Sequence, residues 1–144
     1  VGMVGPVTNS SGNESMIEVG YHNLTEMEAF AESYTASHMG EVFDIRMLAF
    51  FCVAMTRAVY EQVGPLDEGF GIGLFEDDDY ALRVKLKGFR LICARDVFVH
   101  HQGKASFSRL EDAAYRELYE ANRRRFEDKW GLRWEPHWPG HSTV

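Results

Sequence analysis

No run of apolar residues in this chain approaches the roughly 20 needed to cross a bilayer as a helix. Positive charge is scarce too: 15 Lys and Arg against 22 Asp and Glu leave a formal charge of −7. A phosphate-backbone binder needs a dense basic face, so nucleic acid is not an expected partner. Cysteine is limited to Cys52 and Cys93, and neither belongs to a CxxC pair, which removes the paired-thiolate zinc and redox motifs. Each lies inside an apolar run, so both are expected to be buried free thiols. No basic-then-apolar stretch opens the sequence. The glycosylation-type triplets that begin at Asn9, Asn13 and Asn23 are accordingly read as chance matches.

What is present suffices for one domain. With 144 residues, 45% hydrophobic and 13% aromatic, the chain can bury a core of its own. The opening Val1-Gly2-Met3-Val4-Gly5-Pro6-Val7 reads as the end of a strand running into a polar loop over 8–13. A chain that starts on Val1 in this way is expected to be part of a longer polypeptide. Thr25-Glu26-Met27-Glu28 has the form of a capping box. It predicts a helix with Met27, Phe30, Ala31 and Tyr34 on one face, ending before Gly40. Residues 50–55 are a short apolar run that predicts a buried strand. Thr56 then caps a short helix with Val59, Tyr60 and Val63 inward and Gly64-Pro65 as its stop.

The most informative stretch follows. Leu66-Asp67-Glu68-Gly69-Phe70-Gly71-Ile72-Gly73 predicts a glycine-rich loop able to adopt unusual backbone angles and admit a ligand closely. Directly after it come Phe75-Glu76-Asp77-Asp78-Asp79-Tyr80. Four adjacent acids repel one another, and such a run is most often a solvated helix start, favoured by the partial positive charge there. Here it is flanked by a glycine-rich loop and two large aromatic residues, which favours a site. At about 100° per residue, Glu76 and Asp79 are neighbours one turn apart while Asp77 points elsewhere. A single carboxylate aimed into a cleft can serve as a general base. The EF-hand pattern is absent, and the Asp-x-Asp spacing lies in a helix start rather than a strand-end loop. The helix is expected to carry Tyr80, Leu82, Val84 and Leu86 and to end at Gly88.

Residues 90–94 and 97–101 predict two short strands separated by a turn at Arg95-Asp96. On such a strand His100 and His101 point to opposite faces, so at most one enters a given site. A histidine at a strand end followed by Gly103 and Lys104 suits a metal or diphosphate contact, set against the equally common reading of a packed or surface residue. Lys104 and Arg83 are candidate phosphate contacts, against the commoner reading of each as a surface charge or ion pair. Ser108-Arg109-Leu110-Glu111 is a second capping box, opening a helix with Tyr115, Leu118, Tyr119, Asn122, Phe126 and Trp130 in its core stripe and Arg123 to Arg125 on its solvated face. The tail from 133 to 144 shows no period.

Several of these segments, in this order, resemble a known pattern. Gly5-Pro6-Val7-Thr8-Asn9, then Phe51-Cys52-Val53-Ala54-Met55 with Val63-Gly64-Pro65-Leu66-Asp67-Glu68, then Phe75-Glu76-Asp77-Asp78-Asp79-Tyr80-Ala81-Leu82-Arg83, then Val99-His100-His101 with Ser106-Phe107, are similar to the C-terminal half of a family 2 glycosyltransferase of the GT-A fold. The resemblance runs from about residue 4 to residue 107. It implies an α/β domain, a partial GT-A-like fold with a small mixed sheet flanked by helices. It also implies transfer of a sugar from a nucleotide-sugar donor to a hydroxyl of a carbohydrate or glycolipid acceptor, with inversion. Asp77 takes the place of the catalytic base, with Glu76 orienting the acceptor or supporting Asp77. His101, or His100, takes the place of the histidine that helps hold a divalent metal (manganese or magnesium) or the diphosphate. Asp67, Gly71, Gly73 and Phe75 fall on the acceptor side.

The family's nucleotide-binding half, with its own strand-end Asp-x-Asp, has no counterpart here. The expectation is therefore a fragment that is inactive alone, with an exposed sheet edge that leaves room for self-association. The resemblance places the parent in bacterial cell-envelope polysaccharide or glycoconjugate synthesis, in the cytoplasm or on the cytoplasmic face of a membrane. The alternative is a non-catalytic carbohydrate-binding or protein-interaction module. A metal-dependent hydrolase is weaker, because it needs more ligands than the sequence offers.

Overall fold

The computed structural model describes residues 1–103 and 111–137. The fold is α/β, as expected: a small mixed sheet with helices packed around it. In chain order the elements are β1 (Met3–Val7), α1 (Leu24–Ser37), β2 (Val42–Asp44), β3 (Ala54–Met55), α2 (Arg57–Val63), a 3-10 turn (Glu68–Phe70), α3 (Glu76–Leu86), β4 (Leu91–Phe98) and α4 (Asp112–Trp130). The strands lie in the order β2-β4-β1-β3. β1 and β4 run parallel at the centre, and β2 and β3 flank them antiparallel.

The central pairing is interrupted at a proline. Pro6 stands opposite Ala94, but the next pair is Val7 with Phe98, so residues 95–97 leave the β1 ladder. Proline has no N–H to give a ladder, and a register shift is where a strand tolerates one. This is the physical content of the turn expected at Arg95-Asp96. One irregular strand replaces the two expected, and His100 and His101 lie beyond its end. The alternation of faces along a strand therefore does not govern them. Gly5 lies under Leu48, where a Cβ would come within 2.6 Å of its Cδ2, so close packing on β1 requires glycine there.

The main core forms where α3 meets the sheet: Tyr80, Ala81 and Val84 pack with Met3, Val7, Leu91, Cys93, Ile45, Met47 and Leu48. Burying each of the larger side chains stabilises the fold by about 1.5–3 kcal/mol. Leu86 is 73% exposed, because the buried stripe runs through 80, 81 and 84 and turns away from 86. A second cluster joins Phe70, Phe75 and Phe126, with Tyr119, Trp130 and Trp134 against it. Through it α4 docks on the glycine-rich loop and the start of α3.

Other departures have local causes. The N-cap of α1 is Asn23 rather than Thr25: Asn23 Oδ1 accepts from the Glu26 amide at 3.0 Å, and the Glu26 carboxylate accepts from the His22 amide at 2.7 Å. The reciprocal box is thus built two residues earlier. β2 was not expected, and residues 50–55 supply only the two-residue edge strand β3, partly exposed rather than buried. Cys93 is buried as expected, whereas Cys52 is exposed beside that edge. Thr56 caps α2 through the Val59 amide, but Tyr60 faces outward. α4 carries its expected stripe and ends at Gly131 in the left-handed region. The expected box at Ser108-Arg109-Leu110-Glu111 lies largely outside the described residues, as do Lys104, Ser106 and Phe107.

Candidate active site at the start of the acidic helix

α3 turns into β4 through Gly88 and packs back along it, so α3 begins at the end of the sheet where the parallel strands β1 and β4 finish. Ligands of open parallel sheets bind at such carboxyl ends. Two adjacent rings link the acidic helix to the histidine there. Phe50 meets Tyr80 edge-on with centroids 5.4 Å apart, and Phe51 stacks flat on His101 at 4.4 Å. Phe50 and Phe51 are neighbours in sequence, so the ring contacts of Tyr80 and of His101 fall on one segment of the chain.

The four acids have separate fates. Asp79 is fully buried and receives Arg83 Nε at 3.0 Å, Trp130 Nε1 at 3.0 Å and Lys129 Nζ at 2.7 Å. Asp78 is buried against His137 Nε2 at 2.5 Å, and His137 is itself 8% exposed. These two are structural: they fasten α4 and the segment after it to α3. Glu76 and Asp77 meet no cation among the described residues. One Glu76 oxygen, Oε2, is buried without a partner, and burial pushes that carboxyl above its ordinary value. Asp77 keeps some contact with solvent but is densely surrounded by protein. Burial, then the negative charges of Asp78 and Glu76, push its carboxyl up to about 8. The Asp78 amide donates to Asp77 Oδ1 at 2.9 Å and opposes that rise only in part.

The loop before the acids is strained. Gly71 and Gly73 have φ of 64° and 130°, and Leu74 and Phe75 follow at 73° and 72°. A left-handed backbone costs a non-glycine residue about 1–2 kcal/mol, and here two occur in succession. Phe75 is 4% exposed, its ring packed on Tyr119 and Trp134, so it supports the site from beneath. Asp67 accepts from the Gly69 amide at 2.9 Å and meets Lys129 at 2.5 Å, and the Lys129 contact holds its carboxyl low. Arg83 is bound to Asp79 and to the carbonyls of Val63 and Pro65. Both are consumed by internal contacts.

The two histidines differ. His101 exchanges two hydrogen bonds with Asn9: its amide donates to Oδ1 at 2.8 Å, and Nδ2 donates to its carbonyl at 3.1 Å. Its Nδ1 lies 2.9 Å from the Ser10 carbonyl, which can only accept, so Nδ1 carries the hydrogen and Nε2 presents a lone pair. His100 is exposed, and its Nδ1 meets the Tyr21 hydroxyl at 2.5 Å in a separate aromatic cluster with Phe98 and Phe30. Among the described residues no group of three or more His, Cys, Asp or Glu is placed to hold a metal ion. His101 offers one nitrogen, which alone does not make a divalent-metal site. Two open grooves lie elsewhere, one beside Glu41 and Arg95, the other beside Asp44 and Lys85. Neither includes Glu76, Asp77 or His101.

Sequence reasoning missed Asn9 as the clamp on His101, and Lys129 and His137 as partners of the acids. A polar residue inside an apolar stripe, such as Asn122, was a signal available for one further contact. No protein-family model, curated protein or solved structure gives a significant match to this chain.

Proposed function

We propose that this chain forms the base and acceptor side of an inverting, GT-A-like glycosyltransferase. The donor is a nucleotide sugar, held by a strand–helix half outside this chain, and the acceptor is a carbohydrate or glycolipid hydroxyl. The observation that carries the reading is the division of the acids. Asp78 and Asp79 are bonded to His137 and to Arg83, Trp130 and Lys129, while Glu76 and Asp77 meet no cation among the described residues and have their carboxyls displaced upward.

In the proposed step Asp77 accepts the proton of the acceptor hydroxyl as that oxygen bonds to the anomeric carbon. The bond from that carbon to the diphosphate oxygen breaks, and the electron pair leaves with the nucleoside diphosphate. A base whose pKa lies near the working pH suits this transfer. His101 Nε2, which presents a lone pair, would meet the counter-ion of the diphosphate, and manganese or magnesium would need further ligands from elsewhere. The setting we propose is bacterial cell-envelope polysaccharide or glycoconjugate synthesis at the cytoplasmic side. No helix among the described residues is long and apolar enough to cross a membrane.

The second reading is a non-catalytic binding module, for which the two open grooves, beside Glu41 and Arg95 and beside Asp44 and Lys85, offer surface away from the acids. The deciding assay measures nucleoside diphosphate release from a panel of nucleotide sugars, with and without manganese or magnesium. It uses this chain, a longer polypeptide carrying a donor half, and Asp77→Asn. Turnover by the longer form, lost in Asp77→Asn, supports transfer. No turnover across donors and acceptors, with ligand binding unchanged in Asp77→Asn, supports the binding module.

A further inference from the structure

The backbone that aims Glu76 and Asp77 ends in the two left-handed residues Leu74 and Phe75, alone among the described non-glycine residues in having positive φ. What holds this backbone comes from another element. Asn122, at the middle of α4, is 5% exposed. Its Nδ2 faces the carbonyls of Phe70 at 2.8 Å, Gly73 at 2.7 Å and Leu74 at 3.1 Å, and its two hydrogens are shared among the three. One side-chain amide therefore ties the middle of the glycine-rich loop to its end and to the first of the strained residues.

A buried polar group is tolerated only when its hydrogen bonds are made. Asn122 stands in a stripe otherwise made of Tyr119, Phe126 and Trp130, where an apolar residue would pack without that demand. A side chain that only filled space would not need to reach three carbonyls. An αL pair has no helix or ladder to hold it, so it persists only where the surroundings over-determine it.

We propose that Asn122 is the positioning residue of the Glu76–Asp77 pair, holding Leu74 and Phe75 left-handed so that both carboxyls stand apart from the partners that bind Asp78 and Asp79. The chemical part of this inference rests on the reading of Asp77 as the base; the geometric part does not. Removal of the amide lets the loop relax toward ordinary backbone angles. The acids then rotate toward solvent, and the crowding that displaces the Asp77 carboxyl is lost.

The test compares the unaltered chain with Asn122→Ala, Asn122→Ser and Val84→Ala. The last removes a fully buried side chain from α3 without touching the clamp. Backbone carbon shifts of Leu74 and Phe75 report φ, and a carboxyl-carbon titration reports Asp77. Both Asn122 variants are expected to lose the left-handed signature and to titrate at Asp77 about one pH unit or more below the unaltered chain. Val84→Ala is expected to keep both. An unmoved signature and titration in the Asn122 variants overturns the proposal, and so does the same loss in Val84→Ala. Should Asn122→Ala fail to fold, Asn122→Ser decides in the same way, since serine is too short to span the three carbonyls. The transfer assay of Asp77→Asn separates the two readings. If that variant keeps turnover, the base assignment falls and the clamp stands on the shifts. If turnover is lost while the Asn122 variants leave Asp77 unmoved, the clamp alone falls.

Discussion

Asp77→Asn is expected to stabilise the protein at alkaline pH and to leave it unchanged at acidic pH. The carboxyl rises from 3.8 in the unfolded chain to about 8 in the fold. Between those values the folded state holds a proton that the unfolded state has released, so stability falls as pH rises through this window. Below the unfolded value both states are protonated and the group costs nothing. Above about 8 the fold carries an unpaired carboxylate in a crowded site. At about 1.4 kcal/mol per unit the full displacement sets a ceiling of about 6 kcal/mol. Asp77 keeps partial contact with solvent, and screening through that face reduces the penalty to on the order of 2–3 kcal/mol. Asparagine keeps the oxygen that accepts from the Asp78 amide and carries no charge. Urea unfolding of both proteins at pH 5, 7 and 9 reads the difference directly, and it cancels the titrations that the two share. The gain should be smallest at pH 5, just inside the window that opens at 3.8, and grow to its full size by pH 9. An equal difference at all three pH values, or a variant less stable throughout, refutes the assignment of Asp77 as a buried, unpaired acid.

Asp79→Ala should destabilise the fold by about 2–3 kcal/mol in the same unfolding assay, because it removes the buried acceptor shared by Arg83, Lys129 and Trp130, although Arg83 keeps the Val63 and Pro65 carbonyls and Lys129 keeps Asp67; a loss under 1 kcal/mol would show the pairs to be dispensable. Ring-nitrogen NMR should find neutral His101 as the Nδ1–H tautomer set by the Ser10 carbonyl, and an Nε2–H form would contradict the orientation described. Asn9→Ala should weaken that preference and cost about 1–2 kcal/mol from the lost hydrogen-bond pair, measured by the same two methods. A thiol reagent should label Cys52 promptly in the native protein and Cys93 only after unfolding, since burial pushes the Cys93 thiol up to about 12; two fast thiols would refute the burial of Cys93.

Much of this architecture is legible in local pattern. Thr56 and Gly64 bound α2, Gly131 ends α4, and the stripe from Tyr115 to Trp130 gives the inner face of α4, because these rest on turn chemistry and helical period alone. The edge strands were not legible. Three residues of β2 and two of β3 carry too little pattern, and each is a strand only because β4 or β1 offers a ladder beside it. At the site, the acidic run was visible but its division was not. Which carboxylates would be neutralised depended on Lys129, Trp130 and His137, residues 50 or more positions away that the fold alone brings together. The same holds for His101, whose orientation is set by Asn9 across a separation of 92 residues.

The parallel pair at the centre of the sheet has a consequence for the order of events in time. Met3 pairs with Leu91, so the central ladder cannot begin to close until the segment through Leu91 is available. Contacts of such sequence separation slow folding, because the entropy of loop closure must be met before they contribute. During synthesis β4 and β2 can pair locally while β1 waits unpaired, leaving one long edge of β4 open. A chaperone that binds extended apolar strands would find its target in that interval, on the segment around Leu91 and Cys93, and would lose it when Met3 docks.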